Sequence, residues 1–338
     1  MKALYYPDWE TLSIAEHPRP TLAADEVLLR VAACGICGSE LETFKARSPR
    51  RTPPLIMGHE FCGVVAEVGT EVTGFSVGDQ VVSNAVVPCG TCVRCQRGDT
   101  HLCAHRQIFG MHRMGAFAEM VNVPARCLIP WPNGLPAEAA CLAEPLANGV
   151  HVFNLTKHRG PRTVVVIGAG PIGLMCQQAF QTLAEAEAIV SDLIPERLHA
   201  AQQLGAIRTV NARDENLVAV ARALTNGEGV DLVIDAVGSA FTKRQSIAAC
   251  RPGGAVVWIG LHEDQTMLDT YGITLPEKTI YGTYAANLDE LRQALDLMAT
   301  GRVDVQSWVH PFPLAEGETA FRRMLAAQGD DIKAVLLP

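Results

Sequence analysis

Three things that the sequence lacks limit what this protein can be. It has no apolar stretch of the roughly 18 residues that a membrane-spanning helix needs. Its start, MKALYYPDWE, lacks the basic segment and apolar run of a secretory signal. It has no excess of positive charge either: the net charge is −8 at pH 7, which gives no electrostatic basis for binding nucleic acid. We therefore expect a cytoplasmic protein without a membrane or nucleic-acid partner.

The cysteines lack the pattern of a disulfide framework. There are eleven, an odd number spread over 338 residues, whereas disulfide scaffolds place an even number in a short secreted chain. Hydrophobic residues make up 48% and charged residues 19%, as in ordinary globular proteins. A chain of this length favours two domains.

Four of the cysteines do cluster, in the segment CGTCVRCQRGDTHLC. Cys89, Cys92, Cys95 and Cys103 have the spacing C-x2-C-x2-C-x7-C, and four thiolates on a tight loop complete a tetrahedral zinc shell. An iron–sulfur cluster and uncommitted thiols are the alternatives. The gap of seven residues before Cys103 and the absence of a proline after it fit the cysteine pattern of ferredoxins poorly. Four thiolates leave no position open to a substrate, so we interpret residues 87–105 as a structural zinc lobe.

A second motif, TVVVIGAGPIG at 163–173, runs from an apolar strand into a helical pattern. This context makes G-x-G-x-x-G a dinucleotide-binding motif, in which a tight turn brings pyrophosphate to the helix N-terminus. Asp192 ends the next predicted strand, where a carboxylate accepts hydrogen bonds from ribose hydroxyls and repels a 2′-phosphate, so NAD is favoured over NADP. Arg197 is either an adenine contact or a solvated helix residue. The motif residues that we assign to the cofactor are Gly168, Gly170, Pro171, Ile172 and Gly173.

Strands and helices continue to alternate after this motif and predict six parallel strands in a doubly wound sheet of α/β class. The fourth and fifth strands end at Val237 and Gly260, and strand ends of this kind line the nicotinamide side of the crevice. Residues 1 to about 150 instead contain short β-branched runs separated by Gly, Pro, Asn and Asp. That pattern is typical of a mainly-β, partly open barrel.

The first half also holds three short segments with reactive side chains. They are CGICGSE at 34–40, GHEFCG at 58–63 and AEP at 143–145, the last at the start of a predicted helix. Each segment alone is weak evidence for a catalytic site, because a single His, Cys or Glu in such a place is more often structural than catalytic. Together they offer Cys37, His59, Glu60 and Glu144.

With these residues the chain resembles the zinc-containing medium-chain dehydrogenase/reductases. The signature G-H-E-x2-G-x5-G-x2-V is met from Gly58 to Val72, and the four-cysteine lobe also matches. Glu144-Pro145 and Ser191-Asp192-Leu193 are similar to the sorbitol and polyol branch, and galactitol-phosphate and threonine dehydrogenases are close. The resemblance implies a GroES-like catalytic domain (1–153), a Rossmann NAD-binding domain (154–287) and a C-terminal segment (288–338) that returns to the first domain.

The resemblance further implies a catalytic zinc held by Cys37 and His59, with Glu60 and Glu144 sharing the remaining positions. It also implies that the substrate would give a hydride to NAD as an alkoxide bound to this zinc, with Ser39 as the first proton acceptor. Where the family has aspartate as the acceptor of the ligand histidine, this chain has Glu40. A zinc-independent quinone reductase lacks these ligands, and a non-catalytic relative is the less favoured reading.

The substrate class is open at this stage. A secondary alcohol of the polyol, sugar or sugar-derivative type leads, and a threonine-type or simple alcohol is the alternative. Two basic segments are candidate anion contacts: KARSPRR at 45–51, with Lys45, Arg47, Arg50 and Arg51, and the pair His112 and Arg113. A homodimer or homotetramer is expected only by analogy with the family.

Overall fold

The computed structural model describes residues 1–338 and contains 18 strands and 11 α-helices. The strands are β1 Lys2–Tyr6, β2 Ser13–Glu16, β3 Glu26–Gly35, β4 Leu55–Ile56, β5 Glu60–Val68, β6 Gln80–Ser83, β7 Val86–Val87, β8 Gln107–Ile108, β9 Met120–Pro124, β10 Leu128–Pro130, β11 Thr163–Ile167, β12 Glu187–Asp192, β13 Arg208–Asn211, β14 Val230–Asp235, β15 Cys250–Trp258, β16 Thr279–Gly282, β17 Val309–Pro313 and β18 Lys333–Leu337.

The helices are mostly short, and the longest have 14 residues. They are α1 Gly38–Ala46, α2 Val93–Gln96, α3 Ala137–Ala140, α4 Ala143–Thr156, α5 Pro171–Ala184, α6 Pro195–Gln203, α7 Leu217–Leu224, α8 Ala240–Ala249, α9 Tyr271–Thr274, α10 Leu288–Ala299 and α11 Gly317–Ala326. None of them is both long enough and apolar enough to cross a membrane.

The chain divides into two units. Unit 1 comprises Met1–Ala147 and Ala285–Pro338, and unit 2 comprises Asn148–Tyr284. These limits lie a few residues before the domain boundaries expected from the sequence, which as limits of functional domains stay predictions. The first limit falls within α4.

Unit 1 is built on a mixed seven-stranded sheet in the order β10-β6-β5-β3-β18-β17, with β9 also paired to β3. The central strand β3 is buried along nearly its whole length, which explains its near-continuous run of apolar residues, EVLLRVAACG. Its core includes edge-to-face ring pairs, with centroids 5.2 Å apart for Phe61 and Phe109 and 5.1 Å apart for Phe44 and Phe321. Such pairs add to the stabilisation from apolar burial.

Unit 2 is a six-stranded parallel sheet in the order β13-β12-β11-β14-β15-β16. Numbered within the unit this is 3-2-1-4-5-6, the doubly wound arrangement that binds dinucleotides at the carboxyl ends of its strands. The predicted fold class is therefore confirmed. The strands read as runs of Val and Ile because helices cover both faces of such a sheet.

Candidate active site

Three strands of unit 1 bring the reactive segments together. Gly35, the last residue of β3, lies opposite Glu60, the first residue of β5, and also opposite Val335 of β18. Helix α1 begins at Gly38, three residues after β3 ends. As a result Cys37, His59 and Glu60 face one another although up to 23 residues separate them in the sequence.

These three residues form a compact donor set. The Cys37 sulfur, a His59 ring nitrogen and a Glu60 carboxylate oxygen all lie within 4.8 Å of one another. Cys37 is half-buried, whereas His59 and Glu60 are buried. One thiolate, one imidazole and one carboxylate suit zinc, and three protein ligands leave a position for a substrate. The residues present therefore fit a catalytic zinc.

Glu40 orients this set. One carboxylate oxygen of Glu40 lies 2.9 Å from His59 Nδ1 and accepts the Gly58 N–H at 2.8 Å, and the other accepts the Cys37 N–H at 3.0 Å. Burial raises the pKa of Glu40, but His59, Arg51 and the Cys37 N–H together outweigh burial and lower that pKa to about 2. Because Nδ1 is engaged by Glu40, Nε2 is the His59 nitrogen left for a metal. The longer side chain thus performs the orienting contact expected of aspartate.

A buried lysine lies behind the site. Lys333 and Glu60 are each 1% exposed and form an ion pair, and Lys333 Nζ also donates to the Ile36 carbonyl at 2.8 Å. Burial would lower the pKa of Lys333, but the Glu60 carboxylate raises it above its ordinary value. Gly35 makes room for the pair, since a Cβ there would lie 2.3 Å from a Glu60 oxygen. Glu60 is therefore both a member of the donor set and the partner of a buried cation.

Glu144 lies in the first turn of α4 and is 8% exposed. Burial raises the pKa of its carboxyl to about 7; His59 and Lys333 oppose the rise and Glu60 adds to it. These electrostatic influences indicate that Glu144 lies near the donor set. Its carboxylate is not, however, among the atoms that converge within 4.8 Å. Of the two carboxylates, Glu60 has the geometry of a ligand in this structure.

The Ser39 hydroxyl adjoins the Cys37 sulfur. Its Oγ donates to Cys37 Sγ at 3.4 Å and accepts from Arg51 Nη2 at 3.1 Å. Ser39 is half-buried, so a substrate hydroxyl has access to this oxygen.

The four-cysteine segment forms a second donor set. Sulfur–sulfur distances are 3.5 Å for Cys92–Cys95, 3.8 Å for Cys92–Cys103 and 4.0 Å for Cys89–Cys95. A tetrahedral shell with zinc–sulfur bonds of roughly 2.3 Å places sulfurs about 3.8 Å apart, and a disulfide needs about 2.05 Å. Backbone N–H groups of Thr91 and Cys92 lower the pKa of Cys89 to about 5. This arrangement fits a closed zinc site.

In unit 2 the glycine motif forms the turn between β11 and α5. Gly168 has φ +96°, and a Cβ on Gly173 would lie 1.7 Å from the Gly168 carbonyl oxygen, so both positions require glycine. Gly170 precedes the helix as its N-cap, followed by Pro171 and Ile172. The helix therefore begins with free N–H groups at the turn, as a pyrophosphate requires.

Asp192 ends β12 beside this turn. Its carboxylate accepts N–H groups from Ala169 at 2.7 Å, Leu193 at 2.7 Å and Ile194 at 2.9 Å. Arg197 points toward the same turn: its Nη1 lies 4.0 Å from where a Gly170 Cβ would be, and its buried Nε has no hydrogen-bond partner. A buried guanidinium N–H without a partner, next to a phosphate-binding turn, fits a dinucleotide.

Val237 and Gly260 follow the adjacent strands β14 and β15. A Cβ on Gly168 would lie 2.8 Å from Val237 Cγ2, and a Cβ on Gly260 would lie 2.2 Å from the Val237 carbonyl carbon. Both predicted cofactor residues are thus at the same edge of the sheet as the glycine turn.

Comparisons with known proteins agree with this geometry. Residues 23–133 match the family model for the alcohol dehydrogenase GroES-like domain, and residues 171–300 match that for zinc-binding dehydrogenases. The L-threonine 3-dehydrogenase of Bacillus licheniformis is 35% identical, with 95% of this chain and 94% of the relative covered. The chain belongs to the zinc-type medium-chain alcohol dehydrogenase family. It is thus an oxidoreductase, as the resemblance implied.

Two further relatives illustrate the range of this dehydrogenase family. The sorbitol dehydrogenase of Bacillus subtilis is 31% identical, with 100% of this chain and 97% of the relative covered. The solved alcohol dehydrogenase of Thermus sp. ATN1 superposes with a TM-score of 0.93 at 32% identity, with 100% of this chain and 99% of that chain covered. Similarity to both leaves the substrate of this dehydrogenase undecided.

The basic segments of this dehydrogenase are largely engaged by other residues. Arg47 pairs with Glu10, and Arg51 is 3% exposed, with its guanidinium turned inward. Arg113 pairs with the buried Glu26, and His112 lies with Nδ1 3.2 Å from the Ile108 N–H. Lys45 and Arg50 are exposed. A four-residue anion site on the 45–51 segment does not form in this conformation.

Sequence reasoning missed Lys333. It lies 273 positions from Glu60, and no local motif connects them. The only signal was a charged residue in the apolar run DIKAVLLP, which forms β18. A lysine inside a buried strand indicates a buried partner, because an unpaired buried charge is costly.

We expect replacement of Cys95 by serine to remove one zinc and to disorder the lobe. No residue of α2 is buried, so a zinc ion bound to the four sulfurs would be the main constraint on this helix. Zinc analysis should show one metal fewer, and trypsin should cleave at Arg94 or Arg97. Cys176→Ala, at a buried thiol in unit 2, is the control and should keep the full metal content. Full metal content in Cys95→Ser would contradict a zinc held by four thiolates.

Proposed function

We propose that this dehydrogenase oxidises a secondary alcohol of the polyol or sugar class with NAD, using a zinc ion held by Cys37, His59 and Glu60. The convergence of these three donor atoms within 4.8 Å carries the proposal. Bound there, zinc supplies a Lewis acid that lowers the pKa of an alcohol hydroxyl. Glu144, with its pKa of about 7, is an alternative ligand that exchanges with Glu60.

The protein's own residues do the positioning. Glu40 holds the His59 ring and the Cys37 backbone, so the donor set is fixed before substrate arrives. Ser39 accepts the proton that the substrate hydroxyl loses and passes its own proton on toward solvent. NAD, held at the turn that contains Gly168, Gly170 and Gly173, would supply the acceptor for the hydride that the substrate carbon loses. Polar and ionisable groups around the site suit a polyhydroxylated substrate better than a simple aliphatic alcohol.

Oxidation of the hydroxyl of L-threonine is the second candidate. The 35% identity to a named L-threonine 3-dehydrogenase over 328 residues favours it, as strongly as the 31% identity to a sorbitol dehydrogenase favours a polyol. Both substrates present a secondary alcohol with a neighbouring polar group, so the same zinc chemistry serves either.

A substrate panel separates these candidates. Zinc-loaded protein is incubated with NAD and, in turn, polyols, sugar phosphates, aldonates, threonine and simple alcohols, and NADH absorbance is followed. We expect NADH with a polyol or sugar derivative, and its loss on zinc chelation. A response to threonine alone would establish the second candidate. No NADH from any substrate, with zinc and NAD both bound, would refute the proposed function.

The cofactor preference is predicted from Asp192. We expect Asp192→Asn to lower kcat/KM for NAD by roughly 10- to 100-fold, because hydrogen bonds to a charged group contribute about 1.5–3 kcal/mol. The preference for NAD over NADP should shrink, since the repelling charge is gone. Asp214→Asn, at an exposed position of unit 2, is the control. Steady-state rates with both cofactors measure the effect, and an unchanged NAD/NADP ratio would remove Asp192 from cofactor selection.

A further inference from the structure

We propose that Arg51 is a positioning residue that fixes the direction of the Ser39 hydroxyl for proton transfer. The inference rests on the proposed function, since it concerns the residue that accepts the substrate proton there. Sequence analysis offered Arg51 only as one of four surface cations for an anionic substrate. Its place in the fold is different.

The Arg51 guanidinium is held from two sides within unit 1. Nη1 donates to the Ser39 carbonyl at 2.9 Å and to Thr43 Oγ1 at 3.1 Å, both in helix α1, while Nε donates to the Gly110 carbonyl at 3.0 Å. Nη2 donates to Ser39 Oγ at 3.1 Å. Because the other contacts immobilise the planar group, the Nη2 donor has one fixed position relative to the Ser39 oxygen.

The charge of Arg51 is buried at a cost and has no carboxylate in direct contact. Its hydrogen-bond acceptors are carbonyl and hydroxyl oxygens. The nearby carboxylate of Glu40 feels the charge through space. Burying a cation among neutral acceptors is unfavourable for stability alone. A local function at Ser39 accounts for its presence.

That function follows from the hydrogen-bonding capacity of a hydroxyl. Ser39 Oγ has one proton to donate and two lone pairs to accept with. Arginine cannot accept a hydrogen bond and does not lose its proton, so it occupies one lone pair permanently. In this structure the hydroxyl proton is directed at Cys37 Sγ, 3.4 Å away, and it leaves that contact when it passes to water. The second lone pair stays available to a substrate hydroxyl.

The proton step balances with these groups alone. Ser39 Oγ gives its own hydroxyl proton to a water molecule and then takes the proton that the substrate hydroxyl loses, so it ends as a hydroxyl again. Arg51 remains protonated throughout and stabilises the negative charge that builds on Oγ between the two transfers. Without Arg51 no donor occupies that lone pair, so the hydroxyl proton has three staggered orientations in place of two, and the lone pair that faces the substrate is less often free.

The test is a double-mutant cycle with Arg51→Met, Ser39→Ala and the double variant. We expect Arg51→Met to lower kcat by roughly 10-fold or more, within the range of general acid–base effects, with KM little changed and a larger solvent deuterium isotope effect. In the Ser39→Ala background the same change should have no further effect on kcat. Arg51→Lys, which keeps a donor, should recover part of the rate. Arg19→Met, at an exposed ion pair with Glu67, is the control for losing an arginine.

A readout independent of turnover separates this proposal from the proposed function. In cobalt-substituted protein the cobalt–thiolate absorption band responds to hydrogen bonds at the Cys37 sulfur. Ser39→Ala and Arg51→Met should shift this band in the same direction, and the double variant no further than Ser39→Ala. An unshifted band in Arg51→Met, or additive effects on kcat, would overturn the role of Arg51. Absence of NADH from wild-type protein would overturn the proposed function, while the band still decides the role of Arg51.

Discussion

Cys37→Ala is expected to abolish NADH formation while the protein keeps its fold and its structural zinc. The Cys37 sulfur is one of three donors that converge on the site, and the remaining imidazole and carboxylate bind zinc much more weakly. Loss of the Lewis acid removes several kcal/mol of transition-state stabilisation, which corresponds to a rate decrease of about 10³-fold or more. Zinc analysis should show one metal per chain fewer than in the wild type.

Cys34→Ala is the matched control for this experiment. Cys34 lies three positions earlier, at the buried end of β3, and burial raises the pKa of its thiol well above the ordinary value. A protonated buried thiol is a poor metal ligand. This variant should therefore keep both zinc ions and most of its activity. If Cys34→Ala lost zinc and Cys37→Ala did not, the ligand assignment would be wrong.

Lys333→Met is expected to destabilise the zinc-free protein strongly. Removal of Lys333 leaves the Glu60 carboxylate 1% exposed without its cation, and breaking a buried ion pair in this way costs about 3–5 kcal/mol. Zinc bound at Cys37, His59 and Glu60 supplies a replacement positive charge. The loss in free energy of unfolding should consequently be smaller with zinc than without it, as denaturant titrations of both forms will measure.

The double variant Lys333→Met with Glu60→Gln identifies the cause. Because the Glu60 carboxylate is replaced by a neutral amide in this variant, no unpaired charge is buried. The zinc-free double variant should therefore regain most of the stability that Lys333→Met alone loses. Lys2→Met, an exposed residue of β1, controls for loss of a lysine and should change stability by less than about 0.5 kcal/mol. Equal destabilisation of the single and double variants would mean that Lys333 acts by packing and not by its charge.

The Lys333–Glu60 ion pair bears on which of two carboxylates, Glu60 or Glu144, would bind zinc. Lys333 pairs with Glu60 and competes with a metal for its oxygens. For Glu144 the leading influence is burial, which raises its pKa to about 7. A carboxyl that changes protonation near neutral pH is suited to entering and leaving a metal site. Lys333→Met should accordingly strengthen coordination by Glu60.

Local sequence determined the parts of this protein whose members are close in the chain. The glycine motif lies between a strand and a helix because three glycines within six residues are what that turn requires sterically. The four cysteines span 15 positions, so a single short loop carries all four sulfurs, which lie within 4.8 Å of one another. The six alternating strands likewise specify the parallel sheet through short right-handed connections. Each of these features was predictable from spacing and periodicity.

Tertiary structure decided the features that join distant segments. The register of β3 with β5 and β18 sets Glu60 against both Cys37 and Lys333, and no pattern in 1–60 specifies a partner at 333. The burial of Arg51 could not be predicted either. A basic segment has the same sequence whether its guanidinium is solvated or donates to a buried carbonyl. The sequence alone therefore determined the ligand types and the fold class. Strand pairing and burial decided which charges neutralise one another, because those energies depend on distance and solvent access and not on separation along the chain.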